Sequence, residues 1–301
     1  MADRRLQVFH AVAKHLSFTK AAEALFMTQP AVTFQIKQLE EHFNTRLFER
    51  GHGKISLTPA GQVVVEYAER ILALSAELDT RLKEMTGQVA GPLLIGASTT
   101  IAESLLPQAL GEFKSRHPLV LPRLVVANSG AVESRVAEHT LDIGFIEAPS
   151  HLPTVVTDTC CEDELQVVCA PSHPLSKLKS VAAKQLAQYP MIVREVGSGT
   201  REVTDHYLTK SGVRLESLNI VMELGSPEAL KGLVATGLGF AIMSVSTVRK
   251  ERQLGLLVCV PLSPALRRDL SVVYPKEKFR SRVINTFVSF AKERLAVIQE
   301  G

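Results

Sequence analysis

Apolar positions near the N-terminus recur every three or four residues, which is the spacing of one helix face. A first helix with one buried stripe is predicted by Leu6, Phe9, Val12 and Ala13. Ser17 can cap a second helix over residues 19–25 through its side-chain oxygen. Residues 26–28 then form a turn.

The next apolar stripe predicts a third helix, which Thr28 can cap and which carries Pro30 in its first turn, where the missing N–H costs nothing. Its buried face is predicted at steps of four, three and four by Val32, Ile36, Leu39 and Phe43. Four other side chains lie off this stripe and are expected to face outward: Gln29, Thr33, Phe34 and Lys37. A tight turn followed by such a helix is how a helix-turn-helix presents side chains to the DNA major groove.

Beyond the third helix, alternation of apolar and polar residues predicts a short β-hairpin. Ile55 and Leu57 alternate with polar residues, and Gly51 and Gly53 permit the turn between two strands. The basic residues near the tip are Arg50, His52 and Lys54. They could reach phosphates or a minor groove, or they could be solvated turn residues. The hairpin context favours contact with DNA.

A long helix is predicted to start at Thr58 and Pro59. Its apolar residues fall on a near-heptad seam: Val64, Tyr67, Ile71, Leu74, Leu78 and Met85. A helix of this length with one seam needs a partner. The seam could pack on its own domain or on a second copy of the chain. Because the helix emerges directly from the predicted head, dimerisation is favoured.

After a break at residues 88–91, apolar strands alternate with helices to the end of the chain. The strand segments read LLIGA, LVV, DIGFI, LQVVCA, MIVRE, IVMEL, GFAIM, LLVCVPL and LSVVY. Such alternation predicts mainly parallel sheets with helices on both faces. About 210 residues exceed what one small sheet needs, so we expect two α/β lobes with a cleft between them.

Composition narrows the class of protein. The chain has 301 residues, is 46% hydrophobic and carries a net charge of +3. Residues 1–58 hold eight Lys or Arg against five Asp or Glu, a modest excess that suits phosphate contact. No signal peptide or membrane-length apolar run is present, so we expect a cytoplasmic protein that does not enter membranes.

Catalytic motifs are missing from the sequence. We find no Walker motif, no GxSxG elbow and no clustered His/Cys spacing, and the nine histidines are scattered. We therefore expect no enzyme, no catalytic residue and no metal site. A solute carrier or an enzyme remains the alternative from another functional class.

These residues resemble those of the LysR-type transcriptional regulators over nearly the whole chain. The resemblance is carried by the head FTKAAEALFMTQPAVTFQIKQLEEHFNTRLFER, the step ISLTPAG and the segment GPLLIGAS. Three further segments are most similar to regulators of sulfur assimilation and carbon-dioxide fixation, which respond to small, mostly anionic metabolites. They are GASTTIAESLLP, REVGSGTRE and ELGSPEALKGLVATGLGFAIMS.

The resemblance implies the class α + α/β: a winged helix-turn-helix, a long linker helix that pairs two chains, and a two-lobed effector domain like periplasmic solute-binding proteins. The implied partners are double-stranded promoter DNA, a second copy of the chain within a homotetramer, and RNA polymerase as a further candidate. A small anionic co-inducer is implied, and no other cofactor. The predicted limits are 1–58 for the head, 59–87 for the linker helix, 88–91 for a hinge and 92–301 for the effector domain. Lobe I is predicted to comprise 92–163 and 264–301, and lobe II to comprise 164–263.

For DNA, Gln29 and Thr33 are the candidates for reading bases, and Lys37 for phosphate contact. Thr28 and Pro30 stand at the start of the same helix. Many family members carry a basic residue at the position of Phe34. Phenylalanine cannot make the bidentate guanine contact of arginine, but it can touch a thymine methyl. Alternatively, Phe34 packs against a neighbouring helix.

For the effector, two segments place hydroxyls and backbone N–H groups where a strand ends and a helix begins. The first segment contains Ser98, Thr99 and Thr100, and the second contains Ser198, Gly199, Thr200 and Arg201. Such helix N-termini bind anions, and arginine adds a planar cationic fork. The resemblance makes the two segments face each other across the cleft, with four residues nearby: Asn128, Ser129, Phe145 and Ile146. The plain alternative is that the serines are helix caps.

Cysteines raise a redox-sensing alternative, since some LysR-type regulators sense peroxide through a cysteine pair. Cys160 and Cys161 are adjacent in an extended segment, so their thiols should point to opposite faces. Cys169 and Cys259 lie in apolar strands, where free cysteine behaves as a small hydrophobe. We therefore expect all four to be structural.

Overall fold

The structure is a computed structural model that describes residues 3–51, 54–85, 89–276 and 281–300. The chain forms two compact units, Met1–Gln88 and Val89–Gly301. We call them the N-terminal unit and the C-terminal unit.

Three short helices build the N-terminal unit, as predicted: α1 (Arg4–His15), α2 (Phe18–Ala24) and α3 (Gln29–Phe43). Ser17 Oγ accepts a hydrogen bond from Lys20 N (3.2 Å), and Thr28 Oγ1 accepts one from Ala31 N (3.4 Å), so both predicted caps are confirmed. The core is formed by Val8, Phe9, Val12, Phe18, Ala21, Ala22, Val32, Ile36, Leu39, Leu47, Phe48 and Ala68.

The predicted burial of one residue of the stripe was wrong. Phe43 is 44% exposed. It is the last residue of α3, and Asn44 follows in the left-handed conformation at φ 50°, which ends the helix. The stripe therefore reaches the core only as far as Leu39.

The predicted hairpin is present. Strands β1 (Phe48–Gly51) and β2 (Lys54–Leu57) pair antiparallel, with Phe48 opposite Leu57. Helix α4 (Pro59–Met85) follows directly. Its start is tied to the head because Thr58 Oγ1 donates to the carbonyl of Arg46 (2.8 Å) and accepts from Gly61 N (2.9 Å).

Helix α4 turns part of its seam toward the head and exposes the rest. Val64 packs against the head core. The remaining apolar side chains are between 43% and 64% exposed: Tyr67, Ile71, Leu74, Leu78 and Leu82. Leu82 was missed in the sequence, and the side chain of Met85 lies outside the described part of the chain. A row of exposed apolar side chains is unfavourable in water and is typical of a surface that binds another protein.

The C-terminal unit is built on one sheet, whose strands are β3 (Gly91–Ala97), β4 (Val120–Val126), β5 (Ile143–Ile146), β6 (Val155–Cys169), β8 (Met191–Arg194), β9 (Ile220–Leu224), β10 (Phe240–Ser244), β11 (Val258–Val260) and β13 (Leu266–Pro275). Their order in the sheet is β4-β3-β5-β13-β6-β10-β8-β9, with β11 also paired to β6. Two short strands, β7 (Val181–Ala182) and β12 (Leu262–Ser263), pair separately.

Helices cover this sheet. They are α5 (Thr99–Ser104), α6 (Leu106–Arg116), α7 (Ser129–Ala137), α8 (Ala183–Leu186), α9 (Gly199–Lys210), α10 (Pro227–Ala235), α11 (Arg249–Gln253) and α12 (Arg282–Glu300). Three 3-10 turns occur at Pro174–Lys177, Leu215–Ser217 and Val245–Val248. Among the described residues, no helix combines the length and apolar character that crossing a bilayer requires.

The expectation of mainly parallel sheets was wrong at the centre. Strand β3 is parallel to β4 and β5, and β8 is parallel to β9 and β10. Between these groups, β13 is antiparallel to β5 and β6, and β6 is antiparallel to β10 and β11. The reason is that two long strands, β6 and β13, run between the groups instead of following a βαβ crossover.

Two lobes result from this topology. In lobe I, α6 and α12 pack on β3, β5 and β13, around residues such as Phe113, Phe145 and Phe287. In lobe II, another core surrounds Leu165, Leu208 and Phe240. Each long strand serves both lobes, because β13 gives Leu266 to the second core and Val272 to the first. The predicted residue limits of the domains and lobes stay predictions.

Candidate functional site

The outward face of α3 carries the side chains predicted to read DNA. Gln29, Phe34 and Lys37 are exposed, and Thr33 is half-buried. Gln29 Nε2 donates to Thr33 Oγ1 (3.1 Å), and that hydroxyl donates to the carbonyl of Gln29 (3.0 Å). The two side chains therefore contact each other on the outward face of α3. Lys37 Nζ lies 3.6 Å from Glu41, an exposed and weak contact that leaves the cation accessible.

The other DNA candidates are less fully described. Thr28 and Pro30 are exposed at the start of α3, where Thr28 acts as the cap. Phe34 is 57% exposed, so it is not packed into the helical core of the head. His52 lies outside the described residues, and so do the side chains of Arg50 and Lys54. All of these DNA contacts remain predictions.

In the C-terminal unit, both predicted serines are helix caps. Ser98 Oγ accepts from Ile101 N, and Ser198 Oγ accepts from Arg201 N, each at 3.5 Å. Both side chains are buried at 1% exposure. Each serine oxygen thus accepts the cap bond, and each helix start also offers an anion its unpaired backbone N–H groups.

The start of α5 keeps two such donors. Within the described ranges, the N–H groups of Thr99 and Thr100 donate no hydrogen bond, because they precede the first intrahelical donor. Ser98 N is fixed to the carbonyl of Phe145 (2.9 Å), which holds α5 at the carboxyl end of β3 and β5. Ligands in open α/β sheets bind at this edge.

The lobes are in direct contact at α7 and α9. Gly130 N donates to the carbonyl of Gly197 (3.2 Å), and Asn128 Nδ2 donates to the carbonyl of Val196 (3.5 Å). A Cβ on Gly199 would come within 2.7 Å of Ser129 Oγ. The start of α9 therefore packs against α7, with no room for a ligand between Gly199 and Ser129.

Two of the predicted effector residues turn their side chains away from the cleft. The ring of Phe145 lies in the lobe I core, 6.1 Å from that of Phe287, and Ile146 packs with Val132 and Val136. Strand β5 is central in the sheet and all four of its residues are buried, so neither face reaches solvent. A contact from Phe145 or Ile146 to a ligand would have to come from the backbone.

Arg201 is already engaged within lobe II. Its guanidinium donates to Asp205 (2.7 Å) and to the carbonyl of Arg194 (3.1 Å), and it lies 3.7 Å from Glu223. Neighbouring carboxylates therefore compensate the charge of Arg201, and its contact with an effector stays a prediction.

Sequence reasoning missed a buried ion triad of Glu147, Asp163 and Arg268. Arg268 Nη2 lies 2.7 Å from Asp163 Oδ2 and 3.2 Å from Glu147 Oε2, and these three side chains are at most 2% exposed. Arg268 Nη1 also donates to Thr200 Oγ1 (2.9 Å). The only signal in the sequence was a glutamate directly after an apolar strand, because Arg268 lies more than 100 positions from both acids.

A second charged cluster lies where α5 meets lobe II. Burial and the nearby Glu228 raise the pKa of Glu103, while Lys231 and Arg194 act in the opposite direction. Lys231 lies 2.6 Å from Glu228 and 2.8 Å from Glu251. Cations on this face are therefore paired with acids, as Arg201 is.

The cysteines are poorly suited to redox sensing. Burial raises the pKa of Cys160 to about 11 and of Cys161 to about 12, so both stay protonated at neutral pH. Cys169 and Cys259 lie on neighbouring strands, but Cys169 is opposite Val258 and Cys259 is opposite Val168. Their thiols thus point to opposite faces of the sheet. Within the described ranges, no group of three His, Cys, Asp or Glu could hold a metal ion.

Comparison with known proteins agrees with this architecture. Residues 4–62 match the family model for the bacterial regulatory helix-turn-helix protein, lysR family, and residues 86–296 match the LysR substrate binding domain. A relative from Porphyra purpurea, named "Probable RuBisCO transcriptional regulator", is 37% identical over 94% of this chain and 90% of the relative. The protein of that name from Nostoc sp. is 32% identical over 94% of this chain and 85% of its own length.

Solved structures show the same fold. Full-length CbnR, determined with its target DNA, has a TM-score of 0.68 at 22% identity and covers 98% of this chain and 100% of its own. The regulatory domain of Synechocystis PCC6803 CcmR in complex with 2-PG has a TM-score of 0.62 at 25% identity, covering 67% of this chain and 96% of its own.

The head, the linker helix and the two-lobed unit together define a DNA-binding transcriptional regulator. The chain belongs to the LysR family, and the two relatives given above are named as RuBisCO transcriptional regulators. The sequence-based identification of the family is confirmed.

Proposed function

We propose that this regulator binds promoter DNA as a dimer of heads and that a small anionic metabolite, held at the start of α5, controls the binding. The observation that carries the proposal is the pair of unused N–H groups of Thr99 and Thr100, at the carboxyl edge of the sheet. The complex of CcmR with 2-PG supports a small ligand in a regulatory domain of this fold.

The exposed seam of α4 supports the pairing of two chains. Five apolar side chains between Tyr67 and Leu82 are too exposed for an isolated helix in water. We propose that they pack against the same helix of a second copy, which would set the spacing of two heads along DNA. A homotetramer in the cytoplasm, with RNA polymerase as a further partner, is the assembly that the family resemblance implies.

Ligand control requires that the metabolite bind one lobe arrangement more tightly than another. Lobe motion would then change how the C-terminal units pack between subunits, and so the distance between heads. A ligand shifts this equilibrium only by its differential affinity for the two arrangements. We therefore expect an effector to change the DNA footprint or bend as well as the affinity.

The names of the relatives suggest the target. We propose that the chain acts on genes of carbon-dioxide fixation, since relatives of 32–37% identity are named as regulators of RuBisCO. Footprinting upstream of the RuBisCO genes in the same genome tests this point. Protection no stronger than on unrelated DNA would contradict it.

Calorimetric titration of the full-length protein tests the ligand site. We expect heat with 2-PG or a related small anion, and a loss of about tenfold or more in affinity for Thr100→Val, which keeps both N–H groups but removes the hydroxyl beside them as a further donor to the anion. The matched control is Thr209→Val, whose hydroxyl bonds only within α9 and whose side chain is exposed. An absence of heat with all tested anions would contradict the effector proposal and leave DNA binding untouched.

A further inference from the structure

The start of α9 already holds a carboxylate that belongs to the chain itself. Glu147 follows β5 in lobe I, and its Oε1 accepts a hydrogen bond of 3.1 Å from Thr200 Oγ1 in lobe II. Thr200 lies in the first turn of α9, a helix of 12 residues. A negative charge at this end of a helix is stabilised by the helix dipole and the unpaired N–H groups.

The packing around this carboxylate is close. A Cβ on Gly199 would come within 2.7 Å of Glu147 Cγ and 3.0 Å of its backbone carbon. Only glycine therefore lets the Glu147 side chain approach the start of α9 so closely. The same glycine contacts Ser129, so the carboxylate lies where the two lobes meet.

Arg268 supplies the opposite charge from β13. Its guanidinium lies 3.2 Å from Glu147 Oε2 and donates to Thr200 Oγ1 at 2.9 Å. Within the described residues, Glu147 Oε2 accepts no hydrogen bond although the side chain is 2% exposed. The Thr200 hydroxyl and the Arg268 guanidinium thus hold the Glu147 carboxylate, as they would hold a bound carboxylic acid.

We propose that Glu147 is a tethered anionic ligand of lobe II, whose carboxylate fills the anion position at the start of α9 and fastens lobe I to lobe II. This inference does not depend on the proposed effector site.

A cavity beside Glu147 allows the tethered-ligand proposal to be tested with a free carboxylate. A cavity of about 590 Å³ is lined by both lobes and reaches the triad, with Glu147, Thr157, Glu202, His206, Arg268 and Asp269 among its walls. The variant Glu147→Ala removes Cγ and the carboxyl group, which together amount to one acetate ion. Acetate from solution can therefore replace what the substitution removes.

The experiment is thermal unfolding of the full-length protein in sodium acetate and in sodium chloride at equal ionic strength, so that screening is the same. Acetate should stabilise Glu147→Ala and leave wild type and Glu147→Gln unchanged. At about ten times its dissociation constant, acetate shifts the folding equilibrium of Glu147→Ala roughly tenfold. The double variant Glu147→Ala/Thr200→Val should lose most of this response.

Glu202→Ala is the matched control, because Glu202 lines the same cavity and contacts His151 of lobe I at 2.7 Å but lies beyond the first N–H groups of α9. It should show no acetate response. If Glu147→Ala does not fold, its refolding yield in acetate against chloride replaces the melting curve. An equal response of all variants, or none for Glu147→Ala in either measurement, would overturn the proposal. Neither measurement uses DNA or an effector, so a failed effector site would not be mistaken for this result.

Discussion

Arg268 and Asp163 form a buried ion pair at the junction of the lobes, with Nη2 and Oδ2 2.7 Å apart and both side chains at most 2% exposed. Removing one member of such a pair leaves an uncompensated charge in the interior. Arg268→Met should therefore lower the free energy of unfolding of the C-terminal unit by about 3–5 kcal/mol. Urea denaturation measures the loss.

The neighbouring residue is the control for that prediction. Arg267 lies 3.4 Å from Glu162, but both side chains are more than 60% exposed. Solvent screens this pair, so Arg267→Met should cost at most about 1 kcal/mol. Comparable losses for the two variants would contradict the assignment of the triad as the stabilising group.

Two glycines should respond in opposite directions to alanine. At Gly61 an added Cβ would come within 2.1 Å of the carbonyl oxygen of Leu47, so Gly61→Ala should destabilise the N-terminal unit by about 1–3 kcal/mol or more. At Gly111, in α6, an added Cβ meets nothing within 4 Å, and Gly111→Ala should stabilise by about 0.5–1 kcal/mol. Melting temperatures of the two variants against wild type decide the matter. The prediction fails if both shift the same way.

A charge on the α4 seam should separate paired chains. Leu78 is 52% exposed in the structure, and in the proposed dimer Leu78→Glu would bury an unpaired carboxylate. Sedimentation at micromolar concentration should show a smaller assembly and a DNA affinity reduced by at least tenfold. Gln62→Glu adds the same charge to an exposed position of α4 away from the seam and should change neither. An unchanged assembly for Leu78→Glu would exclude the seam as the dimer contact.

Gln29 and Lys37 should differ in how they affect DNA binding. Gln29→Ala removes a group that can read a base edge, so it should weaken specific binding by about 1–3 kcal/mol and relax the preference at one base. Lys37→Ala should weaken specific and random DNA alike and reduce the salt dependence by about one charge. Gel-shift titrations at several salt concentrations separate the two effects. Equal losses of Gln29→Ala on both DNAs would rule out base reading.

The thiols should react slowly in the folded protein. Burial raises the pKa of Cys160 to about 11 and of Cys161 to about 12, so at pH 8 only about 0.1% of the first is thiolate, against about a quarter of an ordinary thiol. Native protein should be alkylated roughly a hundredfold more slowly than protein in urea. Because unfolded thiols lose their protons first, stability is retained below about pH 8.5 and falls as pH rises toward 11. Fast alkylation at pH 8, or a mobility shift with peroxide, would revive the redox alternative.

The helices of the head could be predicted because their caps and buried faces depend on residues that are close together in the sequence. Ser17 and Thr28 are caps by residue type, and the stripe from Val32 to Leu39 follows helical spacing. The prediction that Phe43 is buried was wrong because the spacing of apolar residues does not show where a helix ends. In the structure, the left-handed conformation of Asn44 ends the helix there.

The C-terminal unit was predictable only in part. The apolar ends of β6 and β13 were found, and the segment around Cys160 was expected to be extended. Its pairing with β13, more than 100 positions away, has no local signal, so the antiparallel centre was missed. The triad could not be foreseen because Glu147, Asp163 and Arg268 meet only through the sheet topology. The contact of Arg201 with Glu223 depends on the sheet topology in the same way, whereas Asp205 lies four residues further along the same helix, a spacing that the sequence shows.

The two long strands have a consequence for how such a molecule could arise. The chain leaves lobe I along β6 and returns along β13, and Leu165 lies opposite Leu266 where both strands enter the second core. Lobe II is therefore an inserted domain (a guest), and lobe I is the host domain whose chain it interrupts between two adjacent strands. Its entry and exit already lie side by side, so a host fold could acquire, exchange or lose a guest of this kind without rethreading its own sheet.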